Sequence, residues 1–329
     1  MVAYDPEQLL VQAKQSNRVA LAKLLSIVER GGPQARELAK LTWGQGGDTY
    51  VVGITGAPGA GKSTLTDGLI SQVRSRSREV AIIAVDPTSP FSGGAILGDR
   101  VRMQDHATDG GVFIRSMATR GHLGGLALAV PDAVRVLSAV NFPYVFIETV
   151  GVGQVEVEVI GAADTVTVVL TPGWGDAVQV NKAGLMEVAD LFIINKADRA
   201  GARETRRDIE VMLEMSTFEG WTPPIIETVA TEGKGIGEVF EAIESHREYL
   251  ERSGMGKKRR ESRILEELTR IVRAEANRKV DQMMSDPLFS PKITQLIKGE
   301  VDPYSLAREL LKIEGGSRSA VLNISHSKE

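Results

Sequence analysis

Gly56, four further residues and then Gly61, Lys62 and Ser63 form a spacing that could hold phosphate groups. Glycines let the backbone turn tightly and aim successive N–H groups at an anion, and a helix that begins there adds the positive end of its dipole. Lys62 could reach the terminal phosphates of a nucleotide, and Ser63 could bind Mg2+. The apolar run before the spacing and the helix-favouring run after it predict a phosphate-binding loop. Its expected nucleotide contacts are Gly56, Ala57, Gly59, Ala60, Gly61, Lys62, Ser63 and Thr64.

Asn195, Lys196 and Asp198 follow an apolar run in the Asn-Lys-x-Asp pattern that is typical of guanine binding. The aspartate can accept hydrogen bonds from the ring N–H and the 2-amino group of guanine, a donor pair that adenine lacks. Leaving such groups unpaired costs roughly 1–3 kcal/mol each, so the pattern favours GTP over ATP. Ala230, after the next predicted strand, could offer its N–H to the base oxygen.

Three acids are candidates for a Mg2+ site. Glu148 ends an apolar run, where nucleotide hydrolases keep a carboxylate, and Gly151 could offer its N–H to the γ-phosphate. Most GTPases have aspartate at this position, and the longer glutamate could reach the ion through water or help position the attacking water. Asp86 and Asp99 stand where a loop after the second predicted strand would approach the metal. Mg2+ favours one or two carboxylates plus waters and phosphates, so three acids need not all be ligands.

Other interpretations of these acids stay open. Asp86 precedes a proline and suits a turn, and Asp99 suits a helix cap. The predicted metal ligands are Ser63, Asp86, Asp99 and Glu148, and the predicted catalytic set is Lys62, Asp86, Asp99, Glu148 and Gly151.

Water activation is the least complete part of the pattern. No glutamine follows Gly151 directly, and Gln154 is shifted by two positions, so we expect slow hydrolysis that a partner or a dimer contact completes.

Arg115, Arg120 and the segment 172–184 are expected in loops at the carboxyl edge of the sheet, where ligands of open α/β sheets bind. Lys182 or Arg120 could contact phosphate or a partner protein, although for each of them an ordinary solvated basic residue remains the alternative.

The hydrophobic pattern predicts the elements that position these residues. Residues 5–41 carry apolar side chains at helical spacing and predict two or three short helices, with Asn17 and Pro33 as helix starts. From Tyr50 the order strand, turn, helix repeats, as in a mostly parallel sheet, and the continuous apolar runs indicate that helices cover both faces. The predicted strands are 50–54, 80–85, 112–115, 143–148, 164–170, 190–194 and 225–228.

Beyond about residue 250 the pattern is helical. We interpret 252–260 as a polar connector, including a solvated basic run at 257–260, and a short strand could form at 320–324. The helical segments carry apolar stripes that either pack on the chain's own nucleotide domain or form a dimerisation arm. Their residues are Ile264, Leu265, Leu268, Ile271 and Val272, then Leu306, Leu310, Leu311 and Ile313.

The predicted fold is therefore an α/β P-loop NTPase with helical extensions: residues 1–46 as an N-terminal helical extension, 47–250 as the nucleotide domain and 251–329 as the arm.

The chain has 329 residues, a net charge of −4, no cysteine and four scattered histidines. This excludes disulfides, thiolate metal sites and a histidine cluster, and it disfavours general nucleic-acid binding. No apolar run approaches the roughly 20 residues that span a bilayer, and the N-terminus does not resemble a signal peptide. We expect a soluble, cytoplasmic protein without nucleic-acid or membrane partners.

With these residues in hand, the chain resembles the methylmalonyl-CoA mutase-associated GTPases of the MeaB/ArgK type, which also carry an older label as arginine/ornithine transport ATPases. The resemblance covers nearly the whole chain. It rests on the N-terminal helices, GAPGAGKST, VDPTSPFSGGAILGDRVRM, RGHLGGL, ETVGVGQ, NKAD and the helical C-terminus. ETVGVGQ, with glutamate for aspartate, is shared by this family, so that departure supports the match.

The resemblance implies a GTPase that uses GTP, GDP and Mg2+ as a chaperone of adenosylcobalamin-dependent methylmalonyl-CoA mutase or a sister acyl-CoA mutase. It implies a homodimer, built through the arm, that gates cofactor loading and protects the mutase without itself binding cobalamin. A segment similar to 172–184 is a further switch in the family, which makes Gln179 and Lys182 candidates for coupling to the partner. The alternatives are an ATP-using kinase or transport ATPase, and a metallochaperone GTPase, which the missing cysteines disfavour.

Overall fold

The computed structural model of the protein describes residues 4–86, 106, 108–118, 123–149, 161–173, 188–216, 218, 220–285 and 290–314. The chain divides into two compact units, Met1–Glu267 and Leu268–Glu329. The three-part division expected from the sequence, with an arm from residue 251, stays a proposal.

A seven-stranded sheet in the order β3-β2-β4-β1-β5-β6-β7 forms the centre of the first unit. Each neighbouring pair of strands is parallel, as the repeated order of strand and helix predicts. This confirms the predicted fold class. The strands are β1 Tyr50–Gly56, β2 Val80–Asp86, β3 Val112–Ala118, β4 Tyr144–Thr149, β5 Thr165–Leu170, β6 Leu191–Asn195 and β7 Ile225–Thr228.

Helices cover both faces of this sheet, which is why β1, β4, β5 and β6 are buried at every position. One face packs with α1 to α3 and α5 around residues such as Leu24 and Val145, and the other packs with α4 and α7 around residues such as Phe146 and Phe240. The helices of this unit are α1 Pro6–Lys14, α2 Arg18–Arg30, α3 Pro33–Thr42, α4 Lys62–Ser75, α5 Leu123–Ala139, α6 Ala202–Glu214, α7 Ile236–Ser253 and the start of α8 Met255–Met284.

The predicted starts of the N-terminal helices are confirmed. The Asn17 side chain accepts hydrogen bonds from the backbone N–H groups of Val19 and Ala20 and so caps α2. Pro33 is the first residue of α3, where its missing N–H costs nothing. The three helices bury Leu21, Leu24, Leu25, Ile27 and Leu38 against the sheet side of the unit.

The predicted connector at 252–260 is wrong in its structure, because all of it except Gly254 is helical. α7 ends at Ser253, Gly254 follows with a φ of 71° that suits a glycine cap, and α8 begins at Met255. Within the basic run, Arg259 is only partly exposed, because it makes a two-pronged ion pair with the buried Asp190, at 2.9 and 3.1 Å. Lys257 is exposed, as predicted.

Arg259, Arg263 and Glu267 form a row on α8 at a spacing of four residues, which we call the α8 anchor. Arg263 pairs with Asp164, directly before β5, and Glu267 accepts two hydrogen bonds from Arg135 of α5, at 2.6 and 2.9 Å. Residues four apart lie on one side of a helix, so the first turns of α8 bind the first unit through three successive ion pairs. These ion pairs attach the polar first part of α8 to residues that lie far from it in the sequence.

The second unit comprises the rest of α8 with α9 Ser290–Ile297 and α10 Pro303–Glu314. Asp302 caps α10 by accepting from the N–H groups of Tyr304 and Ser305, both at 3.0 Å. Leu306, one of the predicted stripe residues, is buried. The strand predicted at 320–324 and the side chains of Leu310, Leu311 and Ile313 lie outside the described part of the chain.

Candidate functional site

The phosphate-binding loop lies between the end of β1 at Gly56 and the start of α4 at Lys62. Gly56 has a φ of 143°, and a Cβ there would lie 2.1 Å from the backbone oxygen of Val169, so only glycine fits. Gly61, with a φ of 90°, is equally constrained, because a Cβ would lie 2.3 Å from the side-chain nitrogen of Asn195. The glycine spacing thus follows from close contact with the neighbouring strands.

Lys62 is buried with its ammonium group turned onto the loop. Its Nζ donates to the backbone oxygens of Gly56 and Ala57, at 2.7 and 2.9 Å. These bonds hold the ammonium group inside the curve of the loop, next to the positive end of α4. An anionic phosphate oxygen in that curve would meet the ammonium group and the helix N-terminus together.

Ser63, in the first turn of α4, contacts Glu148, near the end of β4. β1 and β4 pair with Ile54 opposite Glu148, which places the carboxylate beside the first turn of α4. Ser63 Oγ donates to Glu148 Oε1 over 2.6 Å, and both side chains are buried. A carboxylate and a hydroxyl are the hard oxygen donors that Mg2+ prefers, so these two residues fit a magnesium site. The longer glutamate allows direct contact with the serine.

Asp86 is the last residue of β2, which pairs with β4 on the side away from β1. Its backbone therefore lies at the same carboxyl edge as the loop, and its side chain is outside the described part of the chain. Thr64 lies in the first turn of α4. The remaining predicted site residues lie outside the described ranges: Asp99, Arg120, Gly151, Gln154, Gln179 and Lys182.

Asn195 joins the guanine pattern to the phosphate-binding loop. Its side-chain nitrogen donates to the backbone oxygen of Ala60 over 2.8 Å, and its oxygen accepts from the N–H of Ala230 and the hydroxyl of Thr228, both at 3.1 Å. Lys196 Nζ donates to the backbone oxygen of Gly59 over 2.7 Å. Segments that are more than a hundred residues apart in the sequence therefore form one site.

Two further features of the guanine pattern bear on how it could bind a base. Lys196 has a φ of 59°, a conformation that costs free energy outside glycine and is often found at binding sites. Asp198 is exposed two residues later, so its carboxylate is accessible from solvent. The Ala230 N–H, which we expected near the base oxygen, donates to Asn195 in this structure.

The expectation that Arg115 lies in a loop at the carboxyl edge is wrong. Arg115 is inside β3, where its guanidinium donates to Glu29 Oε2 over 2.6 Å and to Ser26 Oγ over 3.1 Å. β3 extends three residues beyond the predicted strand, since Arg115 and the residues after it continue to pair with β2. Arg115 therefore fixes α2 on the edge of the sheet.

A buried polar cluster lies at the amino edge of the sheet, and no local sequence pattern indicates it, because His246 is one of four scattered histidines. The His246 ring is fully buried, its Nδ1 lies 2.8 Å from Thr165 Oγ1, and its Nε2 lies 3.3 Å from Asp190 Oδ1. Burial lowers the pKa of His246 to about 4, against the opposing effect of Asp190, so the ring is neutral near pH 7. Tyr50 also bonds Thr165, and burial raises the pKa of its hydroxyl. The cluster lies at the opposite end of the strands from the phosphate-binding loop.

Within the described ranges, no group of three or more histidine, aspartate or glutamate side chains could hold a metal ion. Among those residues, no helix combines the length and the apolar character needed to cross a membrane.

The sheet order, the phosphate-binding loop and the asparagine that joins it to the base-reading segment define the class of P-loop GTPases. The family model described as methylmalonyl Co-A mutase-associated GTPase MeaB matches residues 21–285. The chain belongs to this family.

Relatives match along most of their length. A relative in Pyrococcus abyssi is 50% identical over 322 residues, which cover 96% of this chain and 99% of its own. GTPase ArgK of Escherichia coli is 34% identical over 85% of this chain and 89% of its own, and the methylmalonic aciduria type A homolog of Caenorhabditis elegans is 28% identical over 94% and 84%. A crystal structure named LAO/AO transport system kinase superposes with a TM-score of 0.71 at 25% identity, covering 96% of this chain and all of that one.

Proposed function

We propose that the protein binds GTP with Mg2+ and hydrolyses it to GDP and phosphate. The observation that carries this proposal is the contact of Asn195 and Lys196 with the backbone oxygens of Ala60 and Gly59. That contact joins the guanine pattern to the loop that would hold the phosphates, and it supports a role for Asp198 in binding the base. A nucleotide bound there would present its base and its phosphates to one continuous site.

The residues of the site have distinct roles in this proposal. Lys62 exchanges its bonds to the loop carbonyls for bonds to the terminal phosphates, and the N-terminus of α4 adds its partial positive charge. Ser63 and Glu148 would hold Mg2+, which neutralises charge that develops on the phosphates, with Asp86 and Asp99 as further candidates. Gly151 would offer its N–H to the γ-phosphate. Gln154 is shifted from the usual water-orienting position, so intrinsic hydrolysis is slow.

We further propose that the nucleotide state controls a chaperone of adenosylcobalamin-dependent methylmalonyl-CoA mutase or of a sister acyl-CoA mutase. The family description supports this client, and so does the name of the C. elegans relative. In this proposal the protein works in the cytoplasm as a homodimer, and Arg120, Gln179 and Lys182 are the candidates for coupling the client to the nucleotide site. Slow intrinsic hydrolysis suits a switch that waits for its partner.

Phosphate release, measured with GTP or ATP and with or without purified methylmalonyl-CoA mutase, tests the proposal. We expect slow release from GTP alone, release at least about tenfold faster with the mutase, as partner-completed sites show, and little release from ATP. Lys62→Ala is the negative control, because it removes the ammonium group and leaves the strand order intact.

The outcomes separate the parts of the proposal. Release from GTP that the mutase does not accelerate, together with no co-elution, removes the client and leaves the GTPase. Release from ATP alone would instead support an ATP-using kinase or transport ATPase, a class to which the name of the superposed crystal structure points.

A further inference from the structure

Two buried threonines join the strands that carry the phosphate-binding loop and Glu148. Thr55 precedes Gly56 in β1, and Thr149 follows Glu148 at the end of β4. The Thr149 hydroxyl donates to the Thr55 hydroxyl over 3.1 Å, and both side chains are 0% exposed. Because β1 and β4 are parallel neighbours, the two side chains meet at matching positions one residue beyond the last paired residues.

The threonine pair lies on the opposite face of the sheet from Glu148. Successive residues of a strand point to opposite faces. Val145 and Ile147 pack in the core beside the N-terminal helices, so Thr149 shares their face, whereas Glu148 contacts Ser63 of α4 on the other. The last two residues of β4 therefore form hydrogen bonds on both faces of the sheet. Glu148 bonds Ser63 on one face, and Thr149 bonds Thr55 on the other.

Packing alone does not favour hydroxyl groups at these two positions. Valine is as well suited to a strand as threonine, and Val51 and Ile147, on the same face as Thr55 and Thr149, are apolar core residues. A buried hydroxyl costs free energy unless it forms a hydrogen bond, so each of these two side chains depends on its bonding partners. A pair of hydroxyls at the ends of two nucleotide motifs points to a role in holding those ends together.

We propose that Thr149 and Thr55 are positioning residues for GTP hydrolysis, which set where the chain after β4 leaves the sheet relative to the phosphate-binding loop. The inference rests on the proposed GTPase function. Gly151, the residue expected to meet the γ-phosphate, follows Thr149 by two positions, so a displacement of Thr149 is passed to it through two peptide units. Since GDP lacks the γ-phosphate, loss of the Thr149 hydroxyl should weaken the GTP state and leave GDP binding nearly unchanged.

Thr149→Val tests this inference. We expect kcat for GTP to fall roughly five- to tenfold, the factor that one hydrogen bond is worth, and the affinity for a non-hydrolysable GTP analogue to fall by a similar factor. The affinity for GDP should stay within about twofold. Thr149→Ser, which keeps the hydroxyl, should restore both quantities. Thr55→Val, which removes the same bond, should also lower kcat, and the double variant should lose less than the sum of the two single losses.

Thr42→Val is the matched control, because Thr42 is also buried and its hydroxyl donates to the backbone oxygen of Leu38 over 2.9 Å, away from the site. It should alter stability without altering the ratio of GTP-analogue to GDP affinity. Thr149→Val with unchanged kcat and an unchanged ratio overturns the inference and leaves the GTPase proposal standing. Equal losses for both nucleotides show a merely structural role and also overturn it. A wild-type protein that does not hydrolyse GTP overturns the proposed function itself, and the inference with it.

Discussion

Asp198 is an exposed carboxylate two residues beyond a lysine in a strained conformation and three beyond the buried Asn195. Its neighbours are fixed: the asparagine side chain bonds three backbone or side-chain groups around the phosphate-binding loop. A carboxylate attached to such a rigid support can discriminate between bases by the direction of its hydrogen bonds alone. In the proposed GTP complex, the choice of base would therefore depend on one exposed residue.

Asp198→Asn should shift the preference of the protein from GTP toward xanthosine triphosphate. The amide offers a donor where the carboxylate offers only acceptors, which suits the 2-oxo group of xanthine and leaves the 2-amino group of guanine without its partner. We expect a loss of GTP affinity of about tenfold or more, measured by competition with labelled GDP. Asp208→Asn, at an exposed position on α6, is the control that changes the same charge without changing the base preference. An unchanged preference in Asp198→Asn would refute the guanine assignment.

The residues predicted best from the sequence are those whose role depends on local spacing. Lys62 lies at the start of α4, and Asn195 and Lys196 end and follow a strand, as the two patterns required. Arg115 and His246 could not be placed, because their roles depend on partners in other elements. Glu29 is 86 residues from Arg115, and Thr165 is 81 residues from His246, and no local pattern joins them.

At the scale of the elements, α8 shows how a charge pattern can mislead. The basic run 257–260 looked solvated because it contains four positive charges and no apolar residue. The structure divides it: Lys257 faces solvent, with a side chain that is 84% exposed, and Arg259 turns toward Asp190, whose side chain is 5% exposed. The partner acids lie 69 and 99 residues before the arginines, at the starts of β6 and β5. Only the folded sheet brings them to the helix.

Arg259→Ala should lower the free energy of unfolding by about 2 kcal/mol, because it leaves the buried Asp190 carboxylate without its cationic partner. Urea unfolding followed by circular dichroism measures the change. Arg259→Lys should recover only part of it, since an ammonium group cannot make the two-pronged contact. Lys257→Ala on the same helix should stay within about 0.5 kcal/mol of the wild type. Equal stability of Arg259→Ala and Lys257→Ala would show that the α8 anchor contributes nothing.

At the scale of the whole molecule, a stripe of apolar side chains on α8 is exposed. The exposed fractions range from 46% at Ile264 to 64% at Leu265, with Leu268, Ile271 and Val272 between them. These residues recur at helical spacing and are exposed in the described part of the chain, as expected of a surface that a second copy of the chain would cover. This supports the proposed homodimer.

Leu268→Glu should convert the proposed dimer to single chains, because it places a charge among the apolar residues that would be buried between copies. Sedimentation equilibrium at micromolar concentrations measures the mass. Asn277→Glu adds the same charge at an exposed polar position on the opposite side of α8 and should leave the dimer intact. Wild-type protein that sediments as a single chain would refute the arm as a dimerisation element.

The two ends of β6 contact different parts of the molecule. Asp190, directly before the strand, holds Arg259 near the start of α8, and Asn195, its last residue, holds the phosphate-binding loop. At about 3.3 Å per residue, these two positions are roughly 17 Å apart along one rigid strand. A second subunit that binds near the start of α8 would therefore approach from the edge opposite to the proposed nucleotide site. The carboxyl edge would then stay open to the proposed client, so one chain could contact a subunit and a client at the same time.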